Sequence, residues 1–156
     1  MQLQLPKQIE EKVSLEVINP EKDVDGFHPV NVGRLASGQN ALTPCTPAGV
    51  IEMLKYYDIE IAGKHAVIVG RSNIVGKPMA ALLEQDSPMG NCTVTVCHRH
   101  TRNLRIHTRH AELLIVAAGR AHLVTGDMIK AGAVVIDVGM TSVPDSTPKS
   151  GYRPTG

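Results

Sequence analysis

The chain is predicted to be an α/β protein built on a doubly wound parallel sheet, and three observations point there. Short runs at residues 65–69, 93–97, 113–117 and 133–137 are almost wholly apolar or β-branched. Strands of that kind are buried on both faces, which requires a parallel sheet covered by helices. Helical patterns alternate with these runs, and in such a sheet the ligand crevice lies outside the strand C-termini.

The elements follow in order. Residues 8–18 carry Ile9, Val13 and Val17 at helical spacing, and Asn19-Pro20 ends that stripe. A non-periodic loop is expected from there to Pro47, too short to bury a core of its own. Thr46-Pro47 is a good helix start, with Thr as cap and Pro in the first turn. The helix should run over residues 47–57 and bury Val50, Ile51, Leu54 and Tyr57. The first strand, residues 65–69, is closed by Gly70, and a helix over 76–85 presents Met79, Leu82 and Leu83. The second strand is 93–97, followed by a polar segment, 101–110, that holds a short helix. The third strand, 113–117, leads to a helical turn or two at 125–130. The last strand, 133–137, is followed by Gly139.

Composition narrows the function classes. The chain has 156 residues, enough for one compact domain and little more. Sixteen Lys+Arg against fifteen Asp+Glu give a net charge of +1. That balance argues against a whole-protein nucleic-acid binder or a polybasic membrane-surface protein. With one Phe, three Tyr and no Trp, a stacking platform for single strands is not expected. No apolar stretch approaches the ~20 residues of a membrane span, and Met1-Gln2-Leu3-Gln4-Leu5-Pro6 does not read as a targeting leader. Three cysteines exclude a disulfide scaffold and fit a reducing, cytoplasmic setting.

The first strand–helix turn is Gly70-Arg71-Ser72-Asn73-Ile74-Val75-Gly76-Lys77-Pro78. Gly70 lets the chain leave the strand sharply. Gly76 lets the helix pack tightly or a ligand approach its first turn, where free N–H groups would face a pyrophosphate. Ser72 and Val75 stand where the G-x-G-x-x-G fingerprint has glycine, so the turn alone also fits an ordinary βα connection. The second strand end sharpens the reading. An NAD-type site places Asp or Glu there to hold the ribose hydroxyls. Here the segment is Cys97-His98-Arg99-His100-Thr101-Arg102, with no acidic residue between Asp86 and Glu112. Arg99, with Arg71 reaching from the other side, suits an extra phosphate and selects NADP over NAD. Arg105 and Arg109 read as a solvated basic face.

The histidines of residues 98–110 invite a zinc reading, but they lack a known ligand spacing, so no metal is expected. Cys45, Cys92 and Cys97 read as small buried residues. Asp23 and Asp25, in a loop beside Asn31, could take paired hydrogen bonds from an amino-heterocycle such as a pterin edge. Taken locally, a carboxylate capping a turn is the favoured reading.

Together these motifs resemble one family. They are Gln2-Leu3-x-Leu5-Pro6, then Pro20-x-Lys22-Asp23-Val24-Asp25-Gly26-Phe27-His28-Pro29-x-Asn31-Val32-Gly33, then Pro44-Cys45-Thr46-Pro47 and Gly70-Arg71-Ser72-x-x-Val75-Gly76-x-Pro78. The strand at 93–97 with His98, and Val135-Ile136-Asp137-Val138-Gly139, extend the match. The ordered set is similar to methylenetetrahydrofolate dehydrogenase/methenyltetrahydrofolate cyclohydrolase and covers nearly the whole chain.

The resemblance implies a Rossmann-like cofactor domain over residues 47–156, preceded at 1–46 by a remnant of an α/β folate-binding catalytic domain. It implies NADP-dependent oxidation of 5,10-methylenetetrahydrofolate and hydrolysis of the methenyl product to 10-formyltetrahydrofolate. The implied partners are tetrahydrofolate derivatives and a second copy of the chain in a homodimer. By the same resemblance, Gln2 lies at the catalytic centre, Asp25 binds the pterin, and Gln2 and Pro6 contact substrate. Gly70, Arg71, Ser72, Val75, Gly76, Pro78, His98 and Arg99 are implied at the cofactor. Gln4 stands where the family has Pro, and Arg99 where many members have Ser. The family's Tyr-x-x-x-Lys helix and its Pro-Val-Pro-Gly-Gly segment do not occur in these residues. The chain therefore reads as a fragment expected to lack cyclohydrolase activity, or as a non-catalytic nucleotide-binding or dimerisation remnant.

Overall fold

The structure is a computed structural model that describes residues 5–144 and 152–155. At its centre four strands pair in parallel: β1 (His65–Val69), β2 (Thr93–Cys97), β3 (Leu113–Val116) and β4 (Val134–Asp137), in the order β2-β1-β3-β4. Val69 lies opposite Cys97 on one side and Val116 on the other, so the strands end level. The chain runs from β1 out to β2, then crosses back over β1 to β3. That reversal opens a crevice at the C-terminal edge.

Alternation along the strands sorts side chains onto two faces. Ala66, Ile68, Leu113 and Ile115 join a core with Val50, Ile51 and Leu54 of helix α3 (Cys45–Tyr56) and Met79 and Leu83 of α4 (Gly76–Glu84). Val67, Val69, Leu114 and Cys97 point the other way, towards Leu104 of α5 (Leu104–His110) and the Leu123–Val124 loop. Thr108 of α5 is fully buried and donates its hydroxyl to the Arg105 carbonyl. Helices thus cover both faces, as a doubly wound sheet requires.

Burial at all but one position holds only for β1 and β3. The outer strands β2 and β4 expose part of their length, with Val96 37% and Val135 42% accessible. Only an inner strand has neighbours on both edges and cover on both faces. Helix α3 starts one residue before Thr46, with Pro44 at the cap position and no side-chain cap, so Thr46 is not the cap. Tyr57 is exposed rather than buried, because the helix ends at Tyr56 and the chain turns outward. After β4 a two-stranded antiparallel pair, β5 (Thr141–Pro144) and β6 (Tyr152–Thr155), was not expected.

The first 44 residues hold more structure than a loop. Helix α1 (Glu11–Glu16) is shorter than the stripe suggested, and Ile9, Val13 and Val17 are all exposed. A 3₁₀ turn at Pro20–Lys22 is capped by Asn19. Helix α2 (Pro29–Ala36) was missed. His28 caps it, its Nδ1 accepting the Val30 N–H at 3.1 Å, and Pro29 fills the first helical position. Two valines and Gly33 lower its intrinsic propensity, so tertiary contacts decide. Asn31 and Leu35 are buried, and Gln85 at the end of α4 donates from Nε2 to the Leu35 carbonyl.

Asp23 holds that segment together. It is 4% exposed, and Oδ2 accepts the His28 N–H at 2.7 Å and the Asn31 Nδ2 at 2.9 Å. Burial opposes its ionisation, but the Asn31 amide and the His28 and Phe27 N–H groups outweigh it, so its pKa lies below the ordinary value. Its contribution to stability is therefore complete above the ordinary carboxylate range and lost as pH falls through the lower folded-state value. Asp23→Ala strands two donors, one backbone and one side-chain, and should cost about 2–3 kcal/mol in urea unfolding at neutral pH. The deficit relative to wild type should shrink in acid. A deficit independent of pH would show that the carboxylate charge is not what stabilises the segment.

Candidate functional site

Three strand ends build one cavity. It has a volume of about 680 Å³ and is lined by Val69, Gly70 and Arg71 after β1, His98, Arg99 and Thr101 after β2, and Ala118, Gly119 and Arg120 after β3. Leu104 and Leu123 form its apolar floor. Arg71 and Arg99, expected on one ligand, face one space. No carboxylate lies among the lining residues.

Glycine geometry explains how the turn approaches the sheet so closely. Gly70 has φ +136°, and a Cβ there would stand 2.5 Å from the Ala117 carbonyl oxygen. A Cβ on Gly76 would stand 2.2 Å from the Gly70 carbonyl oxygen. Gly70 thus lets the chain leaving β1 pack on the backbone that follows β3, and Gly76 seats α4 against the end of β1.

The start of α4 is already satisfied. Ser72 Oγ accepts the Val75 N–H at 3.1 Å and the Gly76 N–H at 3.4 Å, and the Lys77 N–H goes to the Ser72 carbonyl at 3.0 Å. Pro78 has no N–H. The expected free donors at this helix end are therefore taken within the turn. Ser72, Val75, Gly76 and Pro78 shape the turn, and none lies on the cavity wall.

After β2 the chain turns tightly. The His98 N–H donates to Thr101 Oγ1 at 2.8 Å, and the Thr101 N–H returns to the His98 carbonyl at 2.8 Å. The His100 N–H donates to His98 Nδ1 at 3.2 Å, which leaves the neutral ring's hydrogen on Nε2. Partial desolvation, then the charges of Arg71 and His100, hold the His98 pKa below its ordinary value. Arg99 Nε donates to His100 Nε2 at 3.0 Å. Farther along, Arg105 pairs with Asp127 at 3.0 Å, so that guanidinium belongs to the fold.

Gln2 lies outside the described residues. Pro6 precedes α1, away from the cavity wall. Asp25 is half-buried in the turn that Asp23 organises, so of the two carboxylates Asp23 is the turn-former. Cys92 and Cys97 are buried as expected, whereas Cys45, in the first turn of α3, is exposed. Arg120 was missed by the sequence reading. The signal was present, since Ala117-Ala118-Gly119-Arg120 directly follows an inner strand, where a doubly wound sheet places ligand contacts. Among the described residues no helix is long and apolar enough to cross a membrane.

A parallel sheet with a topological reversal, a glycine-seated βα turn and a basic crevice above it define a dinucleotide-binding α/β domain. Residues 44–155 match the family model described as tetrahydrofolate dehydrogenase/cyclohydrolase, NAD(P)-binding domain. The chain belongs to that family. It is 57% identical over 158 residues to the bifunctional protein FolD of Chloroherpeton thalassium, covering 100% of this chain and 54% of the relative. It is 52% identical over 156 residues to that of Porphyromonas gingivalis, covering 100% and 53%. The Trypanosoma brucei methylenetetrahydrofolate dehydrogenase-cyclohydrolase, solved with NADP and an inhibitor, superimposes with a TM-score of 0.90 at 42% identity. The match covers 99% of this chain and 52% of that one. The chain spans about half the length of the curated relatives it matches.

Proposed function

We propose that the cavity above β1, β2 and β3 takes NADP, with Arg71 and Arg99 on the 2′-phosphate and NAD the poorer ligand. One observation carries this: both guanidinium groups line one cavity that has no lining carboxylate. A ribose diol would call for an acidic side chain there, and a phosphate dianion calls for guanidinium forks. Gly70 and His98 complete that end of the site, while Ser72, Val75, Gly76 and Pro78 hold the turn that presents Arg71.

In the whole protein, the reading is oxidation of 5,10-methylenetetrahydrofolate followed by hydrolysis of the methenyl product. Bound NADP would supply the hydride acceptor. This chain's residues orient it, and orientation is the larger need, because the cation left on the folate is stabilised by its own nitrogens. Water addition to that cation needs a general base of tuned pKa. The Tyr-x-x-x-Lys pattern that the resemblance associates with it does not occur in residues 1–156. Residues 1–46 are read as part of the folate-binding domain and 47–156 as the cofactor domain. Gln2, Pro6 and Asp25 are assigned to the folate side, with Gln2 and Asp25 the catalytic candidates. A homodimer and a cytoplasmic setting complete the proposal, the latter supported by cysteines that are all free.

Calorimetric titration of the 156-residue chain tests the reading. NADP should bind at least tenfold more tightly than NAD. Equal affinities would remove the 2′-phosphate assignment. An absorbance assay for methenyltetrahydrofolate with NADP should show little or no turnover by this chain alone, and turnover near that of full-length relatives would refute that expectation.

A further inference from the structure

The crevice continues past the main cavity. A second, smaller cavity of about 170 Å³ lies over the ends of β3 and β4, lined by Val116, Asp137, Gly139 and Thr141 among others. Ala118, Arg120 and Leu123 line both cavities. Of these three, only Arg120 carries a charge. Arg120 therefore borders both cavities, where the chain leaves β3 beside the topological reversal.

Arg120 is exposed, and among the described residues it has no ion-pair partner. Arg105, by contrast, is paired with Asp127. Asp137, the carboxylate that shares the second cavity, accepts the Gly139 N–H at 2.8 Å. The helix end that commonly holds a diphosphate is closed here, because Ser72 and Pro78 leave its first turn without free donors. A dinucleotide lying across both cavities brings its doubly charged diphosphate linker to the passage between them. A cation is needed there, and Arg120 lines it.

We propose that Arg120 is a cofactor-positioning residue that binds the diphosphate linker of the dinucleotide, in place of the helix N-terminus. The assignment rests on the cofactor reading above and adds a residue and a chemical role to it. Arg71 and Arg99 then recognise the 2′-phosphate at one end, and Arg120 fixes how far the other nucleotide reaches into the second cavity.

The test compares two ligands on the 156-residue chain. NADP carries both the diphosphate and the 2′-phosphate, whereas 2′-AMP carries only the latter. Arg120→Ala should weaken NADP about tenfold to a hundredfold and leave 2′-AMP unchanged, the loss expected for a hydrogen-bonded charge. Arg120→Lys should recover part of the loss, since charge remains while the fork is gone. Unchanged NADP affinity in Arg120→Ala overturns the assignment. So does a parallel loss of 2′-AMP, which would place Arg120 at the other phosphate. A wild-type chain that binds neither ligand would instead sink the underlying NADP reading. The thermal midpoint of each variant should match wild type, because Arg120 is exposed and has no ion pair among the described residues; a lowered midpoint with lost affinity for both ligands would assign Arg120 to the fold and overturn the proposal.

Discussion

Gly76→Ala is expected to disable the site and destabilise the chain by roughly 3 kcal/mol or more. The added methyl would stand 2.2 Å from the Gly70 carbonyl oxygen and 2.8 Å from the Arg71 Cα. Both are backbone atoms, so no side chain can swing aside. Relief requires moving the start of α4 off β1, and Met79 and Leu83, both fully buried, would move with it. The same shift displaces Arg71, which follows Gly70 directly, so NADP affinity should fall with stability. Urea unfolding and titration read both effects. Gly49→Ala is the control: it lies in α3 with nothing within 4 Å of its added Cβ, and should be neutral or stabilising by up to about 1 kcal/mol. If Gly76→Ala unfolds at the wild-type urea concentration and binds NADP as well, the turn is not packed as described.

Arg99→Ala and Arg71→Ala should each weaken NADP by about tenfold to a hundredfold while changing NAD little. A hydrogen bond to a charged group contributes about 1.5–3 kcal/mol, which spans that range. The two losses should not add fully, because both residues are assigned to one phosphate. Arg71→Ala has a second readout that needs no ligand. The Arg71 charge is among the causes that depress the His98 pKa, so its removal should raise that pKa towards its ordinary value in an NMR titration. Equal weakening of NADP and NAD would move Arg71 and Arg99 off the 2′-phosphate. An unmoved His98 would show that the first and second strand ends are not in electrostatic contact.

Local patterns in the sequence determine the strands and their rhythm. β1 and β3 are readable because an inner parallel strand must be apolar at every position, and α4 because Met79 and Leu83 recur at its spacing. The basic character of the crevice is readable too, since Arg71 and Arg99 each follow a strand end, and the ordered motifs identify the family. Tertiary structure alone decided the rest. Helix α2 forms because buried Asp23 and Asn31 bond to each other from outside and inside the helix, and because the Leu35 carbonyl takes the distant Gln85 amide, which together override its poor propensity. Ser72 and Pro78 close the end of α4, because the folded turn aims Ser72 Oγ at the Val75 and Gly76 N–H groups, an orientation that the residue types alone do not reveal. Arg120 shares a cavity with Arg71 and Arg99 only because β3 lies beside β1, and strand order is set by which faces bury together across the whole sheet.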